Sequence, residues 1–299
     1  MKILETISIV SVCDNHYALL LAALIKSIED NHQGDEKIDF YIVDDHISTK
    51  NKDRINNAIN KRTITIYWKP VASCIPDDIS IPSDKTNLPL NVYLRLFFPN
   101  FIDSAVERVI YFDVDMIVLE NITKLWHVDL QGNVIGAVQD QWVQVVSRWG
   151  GIANYEQFGL SPDTLYFNSG LMVIDVKKWK EQDVARKVIS CTADHIDKVT
   201  FADQYGLNVI LANKWFKLDP LWNRFSYSEE ERPYLIHFTG RKPIYKSYEY
   251  RRDYQELFFY YLRKGGWENF KPIGETKRNL KKLKNLLMKT SLFRGKKTR

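Results

Sequence analysis

The chain has 299 residues, of which 45% are hydrophobic, 13% aromatic and 26% charged. That composition belongs to a globular protein with a sizeable core and excludes a collagen, a disordered chain and a disulfide scaffold. Lys and Arg number 42 against 37 Asp and Glu, a net charge of +5, a small excess whose meaning depends on where it sits. Cys13, Cys74 and Cys191 are odd in number and form no CxxC pair, which fits reduced thiols in the cytosol. The N-terminal stretch, with Lys2, Glu5 and Asp14, does not read as a signal peptide. The longest apolar run, Ala18 to Ile25, is eight residues, too short to span a bilayer.

Ile7 to Val12 is a β-branched run followed by Asp14-Asn15-His16 and a long apolar stretch from Tyr17 to Glu29. It reads as strand, turn and helix. Ile38 to Val43 is a second strand ending in Asp44-Asp45. Ser48 then caps a helix to about Asn60, and a third strand lies near Thr63 to Trp68. Pro70, Pro76, Pro82 and Pro89 make 70–90 a loop, with a helix resuming at Asn91. Strands are predicted at Arg108–Phe112, Val134–Val138 and Tyr166–Asp175. One helix follows from Trp179 to about His195, and another contains Asp203-Gln204. A strand at Tyr234–Phe238 and a helix over about Tyr248–Arg263 complete the order. The alternation argues for βαβ units and a mostly parallel α/β sheet. There is no internal repeat and no interdomain linker, only a change of composition after Glu275.

The sharpest local feature is Asp113-Val114-Asp115, set between the apolar runs VERVIYF and MIVLENI. Two carboxylates inside an apolar strand are costly unless paired. At spacing i, i+2 in extended chain they leave the same face, an arrangement suited to Mg²⁺ or Mn²⁺ with phosphate oxygens completing the shell. A strand ending in a solvated turn is the alternative, and apolar flanks on both sides count against it. A haloacid-dehalogenase-like phosphatase would carry its DxD on the first strand with an acidic motif downstream. Here the GDxxxD run, Gly34 to Asp39, lies upstream, so the order is wrong.

His237 ends the apolar run before Phe238-Thr239-Gly240-Arg241-Lys242. A lone His there is usually structural, but beside a DxD it becomes a plausible third ligand, since neutral imidazole suits Mn²⁺. Arg95 sits in an otherwise apolar helix, so it must meet a carboxylate or a ligand. No GxGxxG turn is present to hold a dinucleotide.

Several separated segments, in order, resemble glycosyltransferase family 8, the retaining galactosyl- and glucosyltransferases that include glycogenin and bacterial lipopolysaccharide enzymes. They are VCDNHYALLLAALIKSI, VYLRLFFP, YFDVDMIVLENITKLW, IGAVQD, YFNSGLMVIDVKKW, FADQYGLN and IHFTGRKP, spanning about residues 6–245. The resemblance implies a GT-A nucleotide-diphospho-sugar transferase fold, a Rossmann-like mixed sheet flanked by helices. It implies that Asp14 and Tyr17 hold the uracil, with Asn15 and His16 beside them, and that Asp113, Asp115 and His237 bind Mn²⁺, Mg²⁺ being the alternative. Gly240 and Lys242 would lie against the diphosphate. Val114, Asn168, Ser169, Asp203 and Gln204 would bind the nucleotide sugar, with Arg95 between the donor sugar and Asp113. Asp140 would face the acceptor, and Arg95, Asp140, Asp203 and Gln204 would serve catalysis. Loop or cap chemistry is the other reading of these polar residues. The chain departs from the family at Ile244, where an aromatic commonly follows the KP pair.

The stretch 141–164 carries Trp142, Trp149 and Tyr155 with Gly150-Gly151, either an acceptor wall on which sugars stack or a loop with its aromatics packed inward. Residues 277–299 contain ten Lys and Arg and no acid, with Leu280, Leu283, Leu286 and Leu287 at helical spacing. That is the pattern of a basic helix on an anionic membrane; no stacking platform accompanies it for nucleic acid. Without those ten charges the remainder holds 32 basic and 37 acidic residues, a balance of −5. The expected division is a GT-A domain over 1–265 and a basic amphipathic tail over 266–299. The expected function is Mn²⁺-dependent, retaining transfer of galactose or glucose from a UDP-sugar to a glycan or lipid-linked hydroxyl, on the cytoplasmic face of the membrane. The rivals are a DxD phosphohydrolase and a non-catalytic UDP-sugar-binding, membrane-associated protein.

Overall fold

β1 (Thr6–Asp14) is buried along almost its whole length, as an apolar strand covered on both faces must be. Its buried Ser11 hydroxyl donates to the Phe112 carbonyl at 2.8 Å. The computed structural model describes residues 5–84, 86, 88–229, 232–276 and 280. The strands that follow are β2 (Lys37–Asp45), β3 (Ile64–Pro70), β4 (Arg108–Phe112), β5 (Met116–Val118) and β6 (Ile135–Gln139). The last are β7 (Phe167–Asp175), β8 (Trp215–Lys217), β9 (Arg224–Phe225) and β10 (Leu235–His237). Among the described residues they form a seven-stranded sheet ordered β3-β2-β1-β4-β7-β6-β8 and a three-stranded sheet ordered β5-β10-β9. In the large sheet β7 runs antiparallel to both neighbours, and the other pairings are parallel.

The helices are α1 (Ala18–Asn31), α2 (Thr49–Ala58), α3 (Thr123–Trp126), α4 (Val176–Glu181), α5 (Val184–Asp194), α6 (Ala202–Ile210) and α7 (Arg252–Lys264). One face of the sheet is covered by α1 and the aromatic side of α7, the other by α4, α5 and α6 with the segment 90–100. α1 is apolar nearly all round because it lies inside this layer; Gly265, after α7, lets the chain approach the Ala22 carbonyl, which a Cβ there would meet at 3.1 Å. Ser48 caps α2 as expected, accepting from the Asn51 N–H. All three cysteines are buried and none is in a disulfide. No helix among the described residues is long and apolar enough to cross a membrane.

Three local expectations change. The segment after Pro89 is a 3-10 helix, Leu90–Asn100, kinked at Phe97 ahead of Pro99, because proline removes a donor and crowds the turn before it. The helix expected from Trp179 to His195 is two helices. Asp175 starts α4 early by accepting from the Lys178 N–H, and Asp183, at φ 50°, breaks the run. Asp113 and Asp115 do not lie in an extended strand: they occupy the bend between β4 and β5, where the chain passes from the large sheet to the small one. Beyond α7, Trp267 joins the main core and Ile273 exchanges backbone hydrogen bonds with Ile244 and Lys246, so the stretch 266–273 stays against the body. Apart from Leu280, the basic residues and leucines at 277–299 lie outside the described residues.

Candidate active site

The bend is held from both sheets. The Asp113 N–H donates to the Gly170 carbonyl of β7 at 2.7 Å, and the Phe238 N–H donates to the Asp115 carbonyl at 2.9 Å. Antiparallel pairing of β5 with β10 sets His237 opposite Met116. Residues some 120 apart in sequence thus meet: His237 Nε2 lies 3.4 Å from Asp115 Oδ1 and 4.0 Å from Asp113 Oδ2. One ligand atom from each of the three falls within a 4.8 Å cluster. The Lys242 ammonium donates to Asp115 Oδ2 and, at 2.8 Å, to the Phe238 carbonyl. Burial alone would raise the Asp115 pKa, but Lys242 and His237 outweigh it and hold the carboxyl below the usual carboxylate range.

Room for this cluster depends on Gly170. A Cβ there would stand 2.6 Å from His237 Cε1, 2.9 Å from Asp113 Oδ2 and 3.0 Å from Asn168 Oδ1. Two carboxylates and an imidazole on a bare backbone cradle fit a divalent cation that accepts both oxygen and nitrogen ligands, as Mn²⁺ does.

Arg95 joins this cluster to the next. Its Nη2 lies 3.1 Å from Asp113 Oδ1, its Nε 3.1 Å from Asp203 Oδ2, and its Nη1 donates to the Ser169 carbonyl at 2.9 Å. The guanidinium also lies over the Tyr111 ring at 4.5 Å, and Tyr111 donates its hydroxyl to Asp113 at 2.8 Å. Burial works against the Arg95 charge, but Asp113 and Asp203 outweigh it and raise its pKa. Asp203, 2% exposed, is pushed up to about 6 by burial, against the pull of Arg95 and with the repulsion of Asp113. At Asp203 the loss of water around the carboxyl outweighs the pull of Arg95.

A buried polar chain starts at α6. Gln204 Oε1 accepts from the Ser169 N–H at 2.9 Å and from its hydroxyl at 3.2 Å, while Nε2 points to Asp140 Oδ2 at 3.5 Å. Asp140 is fully engaged. Its Oδ1 accepts from the Trp142 and Val143 N–H groups, both at 2.8 Å, and its Oδ2 from Asn168 Nδ2 at 2.9 Å. Asn168 Oδ1 accepts from the Gly170 N–H at 3.0 Å and Asn223 Nδ2 at 2.9 Å. Asn223 Oδ1 then lies 2.9 Å from His237 Nδ1.

At the far end, Asp14 Oδ1 accepts from the Tyr17 N–H at 2.8 Å. Asn15 holds the turn into α2, accepting from the Ser48 N–H and Asn51 Nδ2, both at 2.9 Å. His16 Nε2 lies 2.9 Å from the Tyr245 hydroxyl, and the Tyr17 ring is partly buried against the main core. These four residues sit at the carboxyl end of β1, where open α/β sheets receive ligands. Val114 packs into the core between the two carboxylates. Gly240, at φ 73°, would need a Cβ 3.0 Å from the Tyr250 hydroxyl.

The stretch 141–164 is neither wholly inward nor wholly outward. Val143, Val146 and Ile152 form a small core with Tyr166 and Tyr205, whereas Trp142 is 63% exposed and Trp149 77%. Trp142 meets Tyr227 edge-on at 6.1 Å, and Tyr227 meets Tyr250 at 5.6 Å, an aromatic rim beside the cluster. Tyr111, Gly170 and Asn223 belong to the site but were not singled out from the sequence. Gly170 and Tyr111 lie within the quoted motifs, and Asn223, in the short 3-10 helix Pro220–Asn223, carries no spacing signal.

The model of the family described as Glycosyl transferase family 8 matches residues 8–243. The chain belongs to glycosyl transferase family 8. Among its relatives, General stress protein A of Bacillus subtilis (strain 168) is 28% identical over 284 residues, 88% of this chain and 95% of its own length. Glycosyltransferase GlyF of Streptococcus pneumoniae serotype 4 is 26% identical over 268 residues, 85% of this chain and 61% of its own. The galactosyltransferase LgtC, solved in complex with donor and acceptor sugar analogs, aligns with a TM-score of 0.69 at 23% identity, over 86% of this chain and 95% of LgtC. The bifunctional WbbM apo structure aligns with a TM-score of 0.72 at 19% identity, over 88% of this chain and half of WbbM. These likenesses establish the GT-A fold, and membership of glycosyl transferase family 8 makes the protein a glycosyltransferase.

Proposed function

We propose that the protein is a retaining hexosyltransferase, moving galactose or glucose from a UDP-sugar to a hydroxyl of a glycan or lipid-linked acceptor. The observation that carries the reading is the convergence of Asp113, Asp115 and His237 beside Lys242, with Arg95 leading from there to Asp203 and Gln204. Asp113, Asp115 and His237 would hold a divalent cation, taken here as Mn²⁺, which would supply charge stabilisation for the departing diphosphate. Lys242 uses two of its three donors on Asp115 and Phe238, leaving one for a phosphate oxygen. Asp14 and Tyr17 would receive the uracil, with Asn15 and His16 beside them. Arg95, Asn168, Ser169 and Asp203 would surround the donor sugar.

Retention requires either two displacements or attack on the face that the leaving group vacates. Among the described residues around Gln204, no free carboxylate serves the first route. Asp140 has both oxygens occupied, and Asp203 lies buried behind Arg95. The Gln204 carbonyl, an amide already accepting two hydrogen bonds from Ser169, is a poor nucleophile. We therefore favour front-face attack, with a diphosphate oxygen taking the acceptor proton and the Gln204 dipole steadying the oxocarbenium. Asp140 then acts by orienting Gln204 and Asn168. The rim of Trp142, Tyr227 and Tyr250 would form the acceptor wall. The basic segment 277–299 would bring the enzyme to an anionic membrane on the cytoplasmic side, with residues 1–265 as the catalytic unit.

Incubation with Mn²⁺, UDP-galactose or UDP-glucose and a saccharide acceptor should release UDP, and Asp113→Asn should abolish it. Release of inorganic phosphate from simple phosphoesters would overturn the proposal in favour of a phosphohydrolase. UDP binding without turnover would favour a scaffold. No glycosyl-enzyme in Gln204→Glu together with appreciable turnover in Gln204→Ala would exclude double displacement through this residue, whereas a glycosyl-enzyme trapped on the wild-type protein would replace front-face attack.

A further inference from the structure

We infer that Asn223 is a positioning residue that holds a proton on Nδ1 of His237, leaving Nε2 as the nitrogen that gives its lone pair to a cation bound together with Asp113 and Asp115. The inference rests on reading those three side chains as a cation site, and it follows from hydrogen-bond polarity. Two ends of the buried chain allow no choice of donor and acceptor. The Gly170 N–H only donates, so the Asn168 atom 3.0 Å from it is the carbonyl oxygen. The Asp140 carboxylate only accepts, so the Asn168 atom 2.9 Å from its Oδ2 is the amide nitrogen. Both contacts orient Asn168 the same way.

Asn223 is oriented in turn. Facing Asn168 Oδ1 at 2.9 Å it must offer its NH₂ group, which turns its own oxygen to His237 Nδ1, also at 2.9 Å. An oxygen there requires a proton on Nδ1. In the neutral imidazole the other nitrogen is then an acceptor, and Nε2 is the atom 3.4 Å from Asp115 and 4.0 Å from Asp113. Asn223 and His237 are 1% and 4% exposed, so water is poorly placed to substitute for the amide. Asn223 arrives on a 3-10 turn opened by Asp219, whose side chain accepts from Leu221 N–H, and by Pro220. Its own carbonyl accepts from Gln141 Nε2 at 3.2 Å. Metal-binding imidazoles are commonly set in this way by a partner on the far nitrogen, and loss of such a partner weakens metal binding roughly 10- to 100-fold.

The test reads the tautomer directly. The chain has 6 His, and ¹⁵N-histidine long-range spectra near pH 8, with His237→Gln as the assignment control, isolate the ring concerned. The expected wild-type result is a proton held on Nδ1 in both the metal-free and the Zn²⁺-loaded protein. The reverse pattern overturns the inference without any variant of Asn223. Asn223→Ala should drift toward the Nε2–H form that histidine prefers in water and bind Mn²⁺ roughly 10- to 100-fold more weakly, with the far-ultraviolet circular dichroism unchanged. An alanine variant with unaltered tautomer and Mn²⁺ affinity refutes the role. Absence of Mn²⁺ binding by the wild type would refute the cation-site reading, whereas a protonated Nδ1 in that same protein would still uphold the assignment to Asn223.

Discussion

Gly170→Ala places one methyl group at the centre of the proposed metal cluster. An ideal Cβ would stand 2.6 Å from His237 Cε1 and 2.9 Å from Asp113 Oδ2. Non-bonded carbon atoms settle at about 3.5–4.0 Å, so the imidazole would have to retreat by about 0.9 Å or more. The backbone at Gly170 lies where the pairing of β7 with β6 shifts register, but its carbonyl is tied to the Asp113 N–H and its own N–H to Asn168 Oδ1, so both of its hydrogen bonds would have to move with it. His237 is anchored behind by Asn223, and Asp113 by Arg95 and Tyr111. Overpacking of this kind costs about 1–3 kcal/mol of stability. A ligand displaced by about 1 Å should weaken Mn²⁺ roughly 10- to 100-fold, equivalent to about 1.4–2.7 kcal/mol. Urea unfolding of the metal-free protein and Mn²⁺ titration followed by electron paramagnetic resonance measure the two effects separately. Gly274→Ala, where a Cβ meets nothing within 4 Å, is the matched control and should alter neither. Wild-type Mn²⁺ affinity in Gly170→Ala would show that the three side chains do not converge on this glycine.

Asp203 should leave a pH signature in stability. Its pKa is raised from 3.8 to about 6 in the folded protein, so its contribution is full below about pH 4 and is lost as pH rises through about 6. The stability of the wild type relative to Asp203→Asn should therefore fall by about 3 kcal/mol across that window; urea titrations giving a flat difference would refute the shift. Trp142→Ala, at the exposed rim, should raise the acceptor KM roughly 3- to 10-fold, the worth of one aromatic contact, with a smaller effect on the donor KM. Steady-state kinetics with an equal rise in both would place Trp142 outside the acceptor wall.

Much of the fold was legible because burial leaves a local trace. The apolar run of β1 and the apolar first two turns of α1 follow from their place inside the layers. The serine before α2 and the prolines of 70–90 punctuate the chain through hydrogen bonding and fixed φ, which act within a few residues. The misread points are those where a local signal met a second constraint. A helical pattern across Trp179–His195 hides the left-handed Asp183, a conformation that aspartate tolerates without requiring it. Apolar residues on both sides of Asp113-Val114-Asp115 suggest one strand, whereas the chain uses them for two strands in different sheets.

The sequence by itself determined the alternation of strands and helices, the candidate acids, the buried arginine and the separation of a basic tail from a mildly acidic body. All of these depend on residue type and short-range order. Only the tertiary structure decided that β7 runs against its neighbours and that β5 pairs with β10, and with that pairing His237 reaches the two aspartates. It alone decided that Asn223, from a turn far along the chain, faces the histidine, and that Gly170 is small because three functional side chains press on it. Strand register and hydrogen-bond polarity are pairwise properties of distant residues, and they come into being only when the chain has folded.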